Sequence, residues 1–220
     1  MSKKKLVPNL RFKEFKGDGS WKLKNFEKLL SRRDGIRRGP FGSALKKDLF
    51  VPESNYVVYE QQNAIDNHFK TRYHITEAKY KELINFKVTT GDFIMSGAGT
   101  IGRITRVPKG INNGVINQAL IRIRINNIVL DSNYFLQWIR SPRMQDKLTE
   151  ANPASAMMNL VPMSEIKNWE VAVPSKKEQE KIGSFFNNLD NLINLQRDKL
   201  AKSKDIKSAY LSELFPKEGE

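Results

Sequence analysis

Residues 171–214, VAVPSKKEQEKIGSFFNNLDNLINLQRDKLAKSKDIKSAYLSEL, decide the fold. A short apolar strand stops at Pro174. Ser175 and Glu178 then have the spacing of a capping box, in which the serine oxygen and the glutamate carboxylate each accept from a backbone N–H that the first helical turn leaves open. The next proline is Pro216, and Gly183 is the one glycine between them. Ile182, Phe185, Phe186, Leu189, Leu192 and Ile193, then Leu200, Ile206, Leu211 and Leu214, recur at spacings that put them on one face of a helix. Such a helix would run about 58 Å, whereas a globule built from the preceding residues would have a radius of gyration of only about 16 Å.

Much of the helix must therefore project from its domain or meet a partner. Gln196, Lys199, Ser203 and Lys207 interrupt the middle of the seam, where a long two-stranded coiled coil would keep apolar residues. Two arrangements stay open for the richest stretch, Ile182 to Ile193: folding back on its own domain, or packing on a second chain. The excess length favours the second chain.

The chain of 220 residues suits one or two domains and carries enough apolar residues for a core. No run reaches the length of a membrane span, and the Met-Ser-Lys-Lys-Lys start lacks the apolar centre of a secretion signal, so a cytoplasmic protein with no membrane partner is expected. With no cysteine there is neither a disulfide nor a thiolate zinc site, and two histidines, His68 and His74, do not make a metal centre. The net charge is +14, and residues 1–50 hold fifteen Lys or Arg against five Asp or Glu, a surplus of ten. A basic block of this kind predicts a polyanionic partner, because each neutralised phosphate releases a condensed counterion. Nucleic acid ranks ahead of acidic lipid, since no strongly apolar amphipathic face accompanies these cations, and a merely solvated surface is the alternative.

Working backwards from Pro174, the pattern predicts an α+β fold: a β-rich domain with a few packed helices over 1–174, followed by one long coiled-coil-like helix over 175–220. Trp21 and Leu23 begin the first packed element. Arg32 to Pro40 reads as a basic, turn-rich loop. Strands are expected over Val51 and Tyr56–Tyr59, at Lys87–Met95 with a turn at Gly91 and Asp92 interrupting it, at Ile101–Val107, and at Val115–Ile125, whose end alternates as Leu120, Arg122, Ile123, Arg124 and Ile125. Helices are expected from a Thr76 cap to Leu83, from Ser132 to about Ser141, and from Pro142 through Leu148, with a further turn capped by Ser164. Asn152–Asn159 reads as a small polar loop.

Gly97 to Gly102 matches G-x-G-x-x-G after a strand, but a dinucleotide site also needs a helix at the third glycine and an acid about twenty residues on. Here strand residues closed by Pro108 follow, and Arg122 and Arg124 stand where the acid belongs. A tight glycine turn presenting Ser96, Thr100 and Arg103 is the better reading. Asn152-Pro153-Ala154-Ser155 resembles the Asn-Pro-Pro-aromatic motif of amino-methyltransferases but lacks the aromatic. Glu165 with Lys167 is the nearest approach to a nuclease cluster, and no phosphate-loop lysine or serine elbow occurs. No catalytic constellation stands out, which points to a binding module.

Several stretches resemble the specificity subunit of type I restriction-modification systems. Val7-Pro8-Asn9-Leu10-Arg11-Phe12 is similar to the opening of such subunits, and Gly39-Pro40-Phe41-Gly42-Ser43-Ala44-Leu45-Lys46 to their early loop. Ser96–Arg103, Asn117–Ala119 and Asn159-Leu160 resemble pieces of the target-recognition domain. Val173-Pro174, with Glu178, Gln179, Lys181 and Ile182 and then Leu189, Asp190, Leu192 and Ile193, resembles the join to the conserved spacer helix. The family carries two recognition domains and two such helices, and this chain has one of each, so it looks like a half subunit, natural or truncated. The resemblance implies a non-catalytic DNA-binding chain that directs a methyltransferase subunit and a restriction subunit. It also implies S-adenosylmethionine, ATP and Mg on those partners only, and a homodimer through antiparallel helices.

The expected phosphate contacts are Arg32, Arg33, Arg37, Arg38, Lys46 and Lys47. Base reading is expected from Thr100, Arg103, Asn117 and Gln118, since Asn and Gln suit adenine and Arg suits guanine. The dimer or partner face is Ile182, Phe185, Phe186, Leu189, Leu192 and Ile193. A stand-alone DNA-modifying or cleaving enzyme and a free-standing repressor are the alternatives.

Overall fold

The computed structural model describes residues 6–149 and 162–215. In chain order the strands are β1 Lys22–Asn25, β2 Ile36–Arg38, β3 Tyr56–Tyr59, β4 His74–Ile75, β5 Phe93–Ser96, β6 Ile104–Arg106, β7 Asn113–Ile116, β8 Leu120–Ile123 and β9 Glu170–Val173. The helices are α1 Gln61–Ile65, α2 Glu77–Glu82, α3 Ser132–Arg140, α4 Pro142–Thr149, α5 Met163–Asn168 and α6 Lys176–Glu213, with short 3-10 turns between. The fold is α+β, β-rich before one long C-terminal helix.

An antiparallel sheet in the order β2-β8-β5-β6 lies at the centre. One face carries Phe93, Met95, Ile121 and Ile123 into a core shared with Phe135 and Ile139 of α3, Met144 and Leu148 of α4, and Val171 and Val173 of β9. On the other face Ile94 and Leu120 meet Val57, Tyr59 and Ile116 of a second sheet, β4-β3-β7, in which β3 and β7 run parallel. Val115–Ile125, expected as one strand, is two. It breaks at 117–119, where the Asn117 side chain accepts from the Ala119 N–H at 3.1 Å, and its halves join different sheets.

Other expectations change as well. The loop expected over Arg32–Pro40 contains β2, held by pairing with β8. Of the interrupted strand expected over Lys87–Met95, the part after the Gly91-Asp92 turn is β5 from Phe93, and the part before it is a single bridge from Lys87 to Val115. Ser164 lies inside α5, whose N-cap is Pro162. Ser96 is not presented on the glycine turn: it is buried, and its hydroxyl accepts from the Arg103 N–H at 2.9 Å. The Asn152–Asn159 loop and the Asn159-Leu160 resemblance lie outside the described residues.

α6 begins as the serine predicts, with the Ser175 hydroxyl accepting from the Glu178 N–H. The second half of the capping box is absent, because the Glu178 carboxylate is buried and committed elsewhere. It takes both Arg11 Nε and Nη2 at 2.7 Å, and Trp21 Nε1 at 3.3 Å. Gln179, also buried, accepts from Asp131 N–H and donates to the Val129 and Pro174 carbonyls. Gly183 lets α6 approach the start of α3, since a Cβ there would lie 2.6 Å from Tyr134 N. The last tie is Gln137 to Asp190 at 2.6 Å. Beyond Asp190 every described residue of α6 is exposed.

Candidate nucleic-acid interface

Three turns meet at one edge of the sheets. The turn 117–119 joins β7 to β8, and its sequence, Asn117-Gln118-Ala119, follows from the Asx-type bond that closes it. The chain leaving β2 crosses this turn at Gly39, where an added Cβ would sit 1.8 Å from the Asn117 carbonyl oxygen. Only glycine permits that approach. Gly42 is likewise packed on the Gln118 side chain, and Arg38 Nε donates to the Gln118 carbonyl at 3.3 Å. On the other side Gly97 N–H donates to the Ala119 carbonyl at 2.8 Å, which brings in the 97–102 turn, with Gly99 and Gly102 at φ of 61° and 81°.

Arg38, Asn117 and Gln118, with Thr100 and Arg103 on the abutting turn, are therefore brought together. All are exposed except the half-buried Asn117. Lys46 and Lys47 are exposed on the loop that leaves Gly39. Beside them Pro40, Leu45, Phe50 and Tyr73 line a small cleft with Asn117 and Gln118. Arginine forks and amide side chains gathered on rigid turns can hold phosphate oxygens and read base edges in a groove.

Arg37 has a structural partner as well. Its Nε donates to Asp34 Oδ1 at 2.9 Å, and Asp34 also pairs with Arg122 and, at 2.9 Å, with Arg124 Nη1. Arg124 grips Asp92 with two bonds of 2.8 and 3.0 Å. Arg122 alternates with Ile121 and Ile123 and so points into the layer between the two sheets, where it is fully buried and donates to the Lys87 and Asn85 carbonyls. Burial pushes its guanidinium below the usual arginine range, opposed by Asp34 and Asp92. Sequence reasoning missed this network. Arg122 reads as a solvent-facing residue of an amphipathic strand, and the one available signal was Asp34 standing alone among four arginines.

Arg32 and Arg33 stand apart from the three turns. β2 runs antiparallel to β8, so its end at Arg38 faces Ile121 while its start faces Ile123 and the chain beyond. Arg32 and Arg33 precede that start and line a separate cleft with Lys28, Asn126 and Lys167. His74 Nδ1 lies 2.9 Å from the Ser54 carbonyl in the β4 region, and His68 Nδ1 is 3.5 Å from Asn63.

On α6, Ile182 packs partly against the main core and Phe185 meets the Phe12 ring edge-on at 5.6 Å. Phe185, Phe186, Leu189, Leu192 and Ile193 all stay exposed in the single chain, between 39% and 57%. No described helix is long and apolar enough to cross a membrane.

Residues 36–203 match the family model described as type I restriction modification DNA specificity domain. Three solved structures are similar. One is the type I restriction-modification system S subunit from M. genitalium, at 16% identity and a TM-score of 0.58, covering 90% of this chain and 46% of that one. Another, described as the structural basis of complex assembly and conformational transition of the type I R-M system, has 14% identity and a TM-score of 0.58, covering 88% and 43%. The third is the HsdS subunit from Thermoanaerobacter tengcongensis, at 19% identity and a TM-score of 0.54, covering 94% and 53%. The chain thus spans about half the length of the solved chains it matches. No curated protein matches it in sequence.

Proposed function

Because this chain belongs to the type I restriction modification DNA specificity domain family, we propose that it is a specificity subunit contributing one recognition domain, a non-catalytic chain that reads a half-site in double-stranded DNA. It then directs a methyltransferase subunit and a restriction subunit to that site, and S-adenosylmethionine, ATP and Mg belong to those partners. Two copies joined through α6 would present identical readers and prefer an interrupted palindrome, since a twofold protein repeats its contacts on two half-sites. The observation that carries this reading is the meeting of Arg38, Asn117 and Gln118 with the Thr100–Arg103 turn on one exposed edge.

The test is binding, by fluorescence anisotropy over a salt series, to a duplex enriched from a randomised library. Gln118→Ala should lose about tenfold and relax discrimination at one position. Arg38→Ala, Lys46→Ala and Lys47→Ala should weaken all sequences alike and each reduce the salt slope by about one. Arg32 and Arg33 join the contact set only if the same duplex reaches along β2 to their cleft. An unchanged slope in the double alanine variant removes that pair. Turnover of the duplex by the purified chain, with S-adenosylmethionine or magnesium, would favour the enzyme alternative. Tight operator binding with no co-purifying methyltransferase subunit would favour the repressor.

A further inference from the structure

Phe41 is 89% exposed, the most exposed aromatic side chain among the described residues. A phenylalanine on a slack loop would collapse onto the nearest apolar surface. Here the backbone on both sides forbids it. Before it, Pro40 is buried and Gly39 is wedged against the Asn117 carbonyl. After it, the Phe41 carbonyl accepts the Ala44 N–H at 2.9 Å, opening the 3-10 turn Gly42–Leu45, and Ala44 and Leu45 pack on the core of Val58, Ile75, Leu83 and Val115. The ring is held out on a fixed stem.

What surrounds the ring identifies its occupant. Between Leu23 and Ile84 along the chain Phe41 is the one exposed large apolar side chain, and a single ring falls short of the apolar patch that marks a protein partner. The exposed groups on the same loop and its neighbouring turn are instead polar, Arg38, Ser43, Lys46, Lys47, Asp48 and Gln118, with three cations against one carboxylate. A single ring among cations suits a polyanion that carries flat apolar faces, which is the chemistry of a nucleic acid base stack.

We propose that Phe41 is a stacking wedge, which enters a base step of the bound duplex while Arg38, Lys46 and Lys47 hold the adjacent phosphates. This rests on the DNA-binding reading above. A wedge of this kind unstacks one step and makes that step a determinant of specificity that no hydrogen bond reads.

The experiment uses the full chain and the duplex it enriches from a randomised library, with 2-aminopurine placed in turn at each step. Saturating wild-type protein should raise the fluorescence at one step, where stacking is lost. Phe41→Ala should abolish that rise and weaken binding about 10- to 100-fold, Phe41→Trp should keep both, and Arg38→Ala should weaken binding while keeping the rise at saturation. Because Phe41 touches no core, circular dichroism of Phe41→Ala should match the wild type. Equal affinity and an unchanged 2-aminopurine profile for Phe41→Ala would overturn the wedge and leave DNA binding intact. Failure of the wild-type chain to enrich any duplex would overturn both.

Discussion

Asp34 holds three guanidinium groups, and one of them, Arg122, has no access to water. Removing one partner of a buried pair leaves an uncompensated charge, which costs about 3–5 kcal/mol. Asp34 is itself partly exposed, so solvent can reach its side of the pair and Asp34→Ala is expected near the low end, about 3 kcal/mol, in urea unfolding. Arg32→Ala and Arg33→Ala, on exposed neighbours, should each change stability by less than about 0.5 kcal/mol. A flat response to Asp34→Ala would mean that Arg122 is satisfied by its carbonyl partners alone. The contrast also separates two roles inside one basic stretch. Arg37 supports the sheet through Asp34, whereas Arg38, one residue on, faces the turn at Gln118. Four arginines within seven positions are visible in the sequence; which of them is bound inward depends on β8, more than eighty residues away, and is not.

At the scale of elements, the contact between α6 and α3 turns on Gly183. Replacing a mid-helix glycine by alanine ordinarily stabilises by about 1 kcal/mol through helix propensity. Here the new methyl group would meet Tyr134 N at 2.6 Å and Asp131 Oδ1 at 2.8 Å, backbone and cap atoms that cannot swing aside. Overpacking costs about 1–3 kcal/mol, so Gly183→Ala should lower stability by up to about 2 kcal/mol, a sign opposite to propensity, read from the urea midpoint. The same packing explains what could be read in advance. α6 was legible from Ser175 and its apolar spacing, and α2 and α3 from caps and crowded apolar residues, because a helix writes its period locally. Among the strands, β3 at Tyr56–Tyr59 and β9 before Pro174 were legible too, whereas the division of Val115–Ile125 into β7 and β8 was not, because it depends on which sheet each half joins. Of the site, the glycines of 39–42 and 97–102 were visible as turns, but their meeting across Asn117–Ala119 is a property of the sheets.

For the whole molecule the decisive quantity is how much of α6 its own domain covers. The secondary structure changes between Val173 and Lys176, yet Glu178, Gln179 and Gly183 are buried against the domain, and its hold extends to Asp190. A chain cut near Pro174 would strip Arg11 of its carboxylate and Asp131 of its acceptor, so loss of dimer on such a cut could reflect a damaged domain. A cut after Asn191 keeps every one of those bonds and removes only exposed helix. If Leu192, Ile193 and the residues beyond are covered by a second copy, light scattering should give twice the chain mass for the full chain and one chain mass for the cut version. The double variant Leu192→Glu with Ile193→Glu should also run as a monomer with an unchanged circular dichroism spectrum, because both side chains are exposed in the single chain. A monomeric wild-type chain at micromolar concentration would leave the stripe for a different subunit, and the methyltransferase would then be the chain to add to the same measurement.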